Sequence, residues 1–546
     1  MTAVTLPATA RTGGSRDLAG TGTLLRLALR RDRLMIPAWV VLLGLTVVSM
    51  SGALKKLYDT PAERADVASS MTGNGSLRAI YGPVFGDSLG GLTAWRIGGI
   101  AALLAGVMSL LIVVRHTREE EETGRQELLS AAMVGRRAPL TAALLAALVA
   151  DAALALLIAA GLAGSGQPAG GALALGLAVG GTGLVFAGLA AITAQLTESA
   201  RAAKGLAGAV LGAAFVLRAA GDAATEDASS PLTWASPVGW AEQLRAFADE
   251  RWWVLLLFLT ATAVTVGAAY ALTARRDLGM SFLPARPGPA RAPASLNGAT
   301  GLAWRLQRTT LFGWSAGFLA AGAVFGGIID GASDLVGDNE QARQIFERMG
   351  GRQGLSEAFM SALTGMLGMV AAIYAAGAVL RLRGEETGDR AEPVLAGAVG
   401  RLRWAAGHLA VAFVGTALIL LLGGLGLGLA YGLTTGDVSG QLGPAVGAAL
   451  AQVPAVWTLT GLAVLLVGAL PKAAVGTWAV VGGCLGIGWT GPAVQLPQWV
   501  MNLSPFSHLP KLPGGEATAA PFLWLLALTA VFVTVGLTAL RRRDIG

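Results

Sequence analysis

The chain has 546 residues, of which 54% are hydrophobic and 13% charged, with a formal net charge of +7. A soluble globular domain carries about 25% charged residues, so this composition excludes an ordinary soluble domain and points to an all-α, polytopic integral membrane protein. One cysteine, Cys484, and three scattered histidines, His116, His408 and His508, exclude a disulfide framework and a Cys/His metal centre.

The first 20 residues are small and polar, carry Arg11 and Arg16, and lack the apolar core of a signal peptide. They read as a disordered cytoplasmic tail. A spanning helix needs about 20 mostly apolar residues. Candidates follow at 34–52, 94–114, 138–162, 171–195, 203–220 and 252–273, then at 311–329, 359–380, 405–431, 443–470, 473–490 and 521–540, twelve in all. The fifth is short and ends at Arg218. Basic residues gather on one side: Arg26 to Arg33 before the first span, Arg115 to Arg137 after the second, Arg201 and Lys204 after the fourth, Arg275 to Arg291 after the sixth. Arg305 and Arg308, Arg381 to Arg403, Lys472 and Arg541 to Arg543 continue the pattern. By the positive-inside rule both termini are cytoplasmic. The net charge is then topology, and no basic soluble face for nucleic acid is present. Arg96 and Arg218 are expected to snorkel to the outer surface. Between spans, 53–93 and 330–358 form larger outside loops, and 221–251 and 491–520 intermediate ones.

The chain repeats itself. EETGRQELLSAAMVGR (121–136) returns as EETGDRAEPVLAGAVGR (385–401), ALTARRDLG (271–279) as TALRRRDIG (538–546), and ASPVGWAEQLRAF (235–247) as LSPFSHLPKLP (503–513), at offsets near 265 residues. The expected divisions are a first six-helix repeat at 21–279, a cytoplasmic linker at 280–299 rich in Pro, Ala and Arg, and a second six-helix repeat at 300–546. Six spans is an even number, so the repeats are parallel, related by an axis along the membrane normal, an arrangement that suits a pathway between halves.

The segment RHTREEEETGRQELLSAAMVGRRA (115–138) lies between spans two and three, with acids at its start and arginines at its end, as a helix dipole favours. Read blandly, it is a solvated acidic turn with basic anchors. Read with the duplication, it resembles the conserved cytoplasmic loop of ABC-2-type permeases, in the fused double form of actinobacterial polyketide-antibiotic and multidrug exporter permeases. The resemblance covers the full length. It implies a bacterial cytoplasmic-membrane location, elbow helices at 22–33 and 300–310, coupling helices after Gly124 and Gly388, and lid elements near 234–247 and 502–514. It implies two copies of a separate ABC ATPase as partners, holding ATP and Mg, with no cofactor on this chain, and a hydrophobic small molecule as cargo. Carried over residue by residue, the ATPase-coupling set is Glu121, Glu122, Gly124, Arg125 and Glu127 in the first copy and Glu385, Glu386, Gly388 and Glu392 in the second. The second copy reads as if it inserts one residue, with Asp389-Arg390 against Arg125, and it places Pro393 after the glutamate.

No G-x-x-x-x-G-K-[ST] loop occurs, so ATP would be held elsewhere. With no nucleophile elbow, zinc motif or paired catalytic carboxylates, an enzyme is not expected. Asp151 sits mid-span, where a carboxylate is costly and serves either a pathway or proton site or a helix-packing hydrogen bond. Gln452 with Pro454 marks a break lining a cavity or, equally, packing polarity. Alternatives to an ABC permease are a proton-coupled secondary efflux transporter using Asp151 and a membrane sensory or assembly protein without transport.

Overall fold

The computed structural model describes residues 17–544 apart from 73–74, 131–133, 226, 228, 278, 284–289, 292, 294–295, 297, 335–350, 491–496 and 516. Most of the expected tail (1–20), part of the linker (280–299) and parts of the outside loops at 330–358 and 491–520 therefore lie outside the described residues. Residues 17–20 are pinned: the amides of Gly135 and Arg137 donate to the carbonyls of Ala19 and Asp17. The chain divides into two compact units, Met1–Pro287 and Gly288–Gly546, and no strand occurs among the described residues.

In the first unit the helices are α1 (Thr21–Arg31), α2 (Met35–Leu57), α3 (Pro61–Thr72), α4 (Gly75–Tyr81), α5 (Leu89–His116), α6 (Arg118–Glu122), α7 (Arg125–Ser130), α8 (Ala138–Gly164), α9 (Ala169–Leu196), α10 (Ala200–Ala224), α11 (Pro231–Trp234), α12 (Pro237–Gln243) and α13 (Leu255–Arg275). The second unit continues with α14 (Ala299–Asp334), α15 (Gly351–Thr387), α16 (Glu392–Leu395), α17 (Arg401–Thr435), α18 (Val438–Leu450), α19 (Val453–Ala469), α20 (Gly476–Thr490), α21 (Gln498–Met501) and α22 (Ala519–Arg542). Ends are set locally. Ser88 Oγ accepts the Gly91 amide to start α5, Asp437 does the same for α18, and Gly436, at φ 75°, stops α17.

Among the described residues, eleven helices are long and apolar enough to cross a membrane. The difference from twelve is the expected span at 473–490. A 3₁₀ turn at Pro471–Ala473 delays its helix, leaving α20 with 15 residues. At 1.5 Å per residue that is about 22 Å, short of the roughly 30 Å hydrocarbon core. The tenth span is two helices, α18 and α19, broken at Ala451–Gln452 just before Pro454.

The two basic entry stretches also differ. The first is a separate helix, α1, whereas the second runs on into its span as α14, 36 residues long. Asp32 explains the break. Its carboxylate is buried and held by Arg115 Nε at 3.1 Å and His116 Nε2 at 2.7 Å, which draws the chain away from the helix axis. Thr310 stands at the matching place in LAWRLQRTTLF.

Within the first unit α9 lies at the centre, packed by α5, α8, α10 and α13. Its buried face is almost wholly Gly, Ala, Val, Leu and Thr, which lets backbones approach where helix packing lacks a hydrophobic drive. In the second unit α14 and α17 touch along their backbones. A Cβ on Gly322 would lie 2.0 Å from the Gly423 carbonyl oxygen, one on Gly326 2.2 Å from that of Leu427, and one on Gly426 2.2 Å from that of Leu319.

Candidate coupling loops and buried polar sites

The loop after α5 is built on a buried glutamate between two arginines. Arg118 and Glu121 share one side of α6 and pair at 2.6 Å. Arg276, just past α13, closes on the same carboxylate at 2.5 and 2.8 Å and donates its Nε to Gln195. Arg136 then donates to the carbonyl of Arg276 at 2.8 Å. The loop is thereby tied to the end of the sixth span. Around this frame Glu120 pairs with Arg31 and Arg125, and Glu119 with Lys204 at 2.9 Å. Glu122 accepts the Ala200 amide at 2.9 Å, so a carboxylate sits on the exposed N–H groups that begin α10. Gly124, at φ 71°, turns the chain between α6 and α7, a left-handed conformation that a side chain would strain.

The second unit rebuilds the same frame. Arg383 pairs with Glu386 at 2.9 Å, Arg543 closes on Glu386 at 2.6 and 2.7 Å, and Arg401 donates to the Arg543 carbonyl. Glu385 pairs with Arg390 at 2.9 Å, as Glu120 does with Arg125. Asp389, at φ 55°, holds the left-handed turn. Arg118 with Arg383, Glu121 with Glu386, Gly124 with Asp389, Arg125 with Arg390, Glu127 with Glu392 and Arg136 with Arg401 all stand 265 positions apart. The two loops therefore align without a gap. The pairing of Glu121 with Glu385 and of Gly124 with Gly388 that the shared letters EETG suggest is corrected, and so is the inserted residue. The four letters have drifted by one place while the ion pairs have not. Gly388 is outside the left-handed region; a Cβ there would meet the Arg390 guanidinium at 2.8 Å.

Burial divides the expected coupling residues. Glu121, Glu385 and Glu386 have side chains 7, 6 and 2% exposed and spend themselves inside the frame. Glu122, Arg125, Glu127, Gly388 and Glu392 are exposed. Arg118, Arg276, Arg383 and Arg543 belong to the site although charge counting reads them as topology only. The repeated endings ARRDLG and RRRDIG were the available signal.

Away from the loops, Arg218 departs from expectation. It does not snorkel but is fully buried, because buried acceptors surround it. Its guanidinium reaches Glu242 at 3.1 Å and Asp222 at 3.5 Å and donates to the carbonyls of Ala79 and Ile80 at 2.8 and 2.9 Å. Burial pushes the Glu242 carboxyl well above its ordinary range; Arg218 opposes the shift and Asp222 adds to it. Asp151 accepts from Ser109 Oγ at 2.8 Å, and Gly183 opposite leaves room for its carboxylate. Its other carboxylate oxygen, Oδ1, is buried without a hydrogen-bond partner among the described residues. Gln452 stands at the break between α18 and α19, is 7% exposed, and lines a cavity of about 520 Å³. The three histidines bind locally: His116 to Asp32, His408 to Gln307 and His508 to the Asn502 carbonyl. No cluster able to hold a metal occurs among the described residues.

Comparison with known proteins agrees with this architecture. Residues 296–541 match the family described as the C-terminal domain of the multidrug efflux system permease Rv1217c. The whole chain is 45% identical over 527 residues to the multidrug efflux system permease protein Rv1217c of Mycobacterium tuberculosis, covering 96% of this chain and 95% of that one. A multi-pass helical chain, aligned nearly end to end at this identity, belongs to the family of the multidrug efflux system permease Rv1217c.

Proposed function

We propose that this permease is the membrane subunit of an ATP-driven exporter of the ABC-2 type. It moves hydrophobic small molecules, such as antibiotics, drugs or lipid-like compounds, outward across the bacterial cytoplasmic membrane by alternating access. Both termini and both frame loops face the cytoplasm. ATP and Mg are held by two copies of a separate ATPase. The chain itself carries no catalytic residue.

The observation that supports this reading is the frame built twice. Each copy binds the loop between the second and third spans of its unit to the end of the last span, through a buried glutamate held between two arginines. A loop that only turned the chain would need no such bracing. A loop that receives a push from a partner must pass it to the helices without folding up. The exposed residues on each frame, Glu127 and Glu392 at the same register, are the surface offered to the ATPase. Glu121 and Glu386 act behind that surface.

The test is purification of the full chain from its native membrane in mild detergent, with mass spectrometry and ATPase assay. A stoichiometric ATPase should co-purify, and Glu127→Lys with Glu392→Lys should release it while the chain keeps its elution volume. A chain that purifies alone, with efflux that follows the proton gradient rather than ATP, would overturn the reading in favour of secondary transport.

A further inference from the structure

Equivalent elements of the two units enclose very different volumes. In the first unit α5, α9, α12 and the residues just after it leave about 30 Å³, with Trp95, Gly98, Ala178, Glu242 and Arg245 on its walls. The space is plugged. Arg218 enters from α10 and lies against Glu242 at 3.1 Å and Asp222 at 3.5 Å. Tyr81 packs on Trp95 at 5.4 Å, and Arg245 lies 4.3 Å over the Phe85 ring.

In the second unit α15, the start of α19 and residues 504–515 enclose the cavity of about 520 Å³. The plug's residues are missing there. Ser236-Pro237 matches Ser504-Pro505, and the same register puts Pro510 where Glu242 stands. α20, the counterpart of α10, carries no charged residue and presents Ile487 and Gly488.

What remains on the walls is chemically specific. Gln452 is 93% buried and its side-chain amide has no hydrogen-bond partner among the described residues. Glu357 lines the cavity with no ion pair among the described residues. The turn at Gly514 passes close over it: a Cβ there would lie 2.8 Å from Glu357 Oε2. Lys511 is exposed at the rim, so its ammonium is free to reach water rather than neutralise the interior. Met369, Met501 and Phe506 supply polarisable and aromatic walls, which favour a cation with an apolar body. The volume lies within the roughly 300–1,000 Å³ of drug-sized sites.

We propose that the cavity of the second unit binds an organic cation with an apolar body, one per chain, while the matching place in the first unit is closed by its Arg218–Glu242 plug. Glu357 meets the charge, Gln452 accepts or donates one hydrogen bond, and the methionines and Phe506 enclose the body. This deepens the export reading by naming a substrate class, and it rests on that reading for its transport meaning, although binding itself needs no ATPase.

The test is equilibrium dialysis of labelled tetraphenylphosphonium against the purified full chain in detergent, without nucleotide or ATPase. One saturable site per chain is expected. Glu357→Gln should weaken it about tenfold or more, the loss of one charge-assisted contact, whereas Glu357→Asp should keep most of the affinity. Ser361→Trp, which fills the cavity, should abolish binding; elution volume and melting temperature report folding. Unchanged binding in both Glu357→Gln and Ser361→Trp, or two equal sites per chain, would overturn the proposal. The two readings separate in reconstituted vesicles. Binding at Glu357 without ATP-dependent efflux removes the ATP-driven reading and leaves the site. Efflux of the cation that ignores Glu357 removes the site and leaves the exporter.

Discussion

The loop after α5 and the loop after α15 hold one ion-pair geometry in different surroundings. In the first, Glu119 and Glu122 add two further bonds to α10, through Lys204 and the Ala200 amide. In the second, Gly384 and Thr387 occupy those positions, and Thr387 Oγ1 only donates back to the Arg383 carbonyl. The arginines of the first frame, Arg118 and Arg276, are 2 and 5% exposed, against 24 and 15% for Arg383 and Arg543. The left-handed turn falls on Gly124 in one and on Asp389 in the other. The frame has been kept and its moorings have not. The first loop is fixed to three helices and its frame arginines are dry; the second is fixed to fewer and its frame arginines reach water.

The largest way to break this comparison is to remove the central carboxylate. Glu121→Gln leaves two buried arginines facing a neutral group and should cost about 3–5 kcal/mol. Glu386→Gln should cost clearly less, since its arginines can turn to solvent. Thermal unfolding of the two purified variants gives the answer, and equal losses would show that the frames are energetically alike. The turn comes next. Gly124→Ala puts a Cβ into the left-handed region at about 1–2 kcal/mol, while Asp389→Gly should leave the melting temperature unchanged or slightly raised.

A smaller effect isolates the moorings. Glu122→Ala removes a carboxylate from the start of α10 and should cost about 1 kcal/mol or less. Hydrogen exchange should accelerate at the first turn of α10 and nowhere in α20; uniform exchange across both would deny that the loop is moored there. A further test concerns pH. Glu242 has a carboxyl raised by burial, so the native state binds its proton more tightly than the unfolded chain does. Its contribution is full below the ordinary glutamate range and is lost as pH rises through the raised native value. Wild type should therefore lose stability across that window more steeply than Glu242→Gln, and parallel pH profiles would remove Glu242 as the source.

Hydropathy located eleven spans that coincide with long apolar helices among the described residues, because length and apolarity are what the bilayer selects, but it missed the long extensions of α14 and α15. At the expected span 473–490 the described helix, α20, has 15 residues and starts after a 3₁₀ turn at Pro471–Ala473. The loops were located from EETG, but their register was not legible. Identity of four letters outweighed the spacing of Arg118, Glu121 and Arg125, whose meaning comes from Arg276, 155 residues away. Arg218 was misplaced for the same reason: its partners Glu242, Ala79 and Ile80 are distant in sequence, and only the fold brings acceptors to a buried guanidinium.

The backbone contact between α14 and α17 has a mechanical side. α17 is 35 residues, about 52 Å of continuous rod, and Gly322, Gly326 and Gly426 leave no cushion of side chains between it and α14. Side-chain layers absorb small displacements by changing rotamer; two main chains in contact have no such slack. A shift applied at Arg401 is therefore transmitted to the far end of both rods together, and the pair works as a single lever with its fulcrum set by the helices around it.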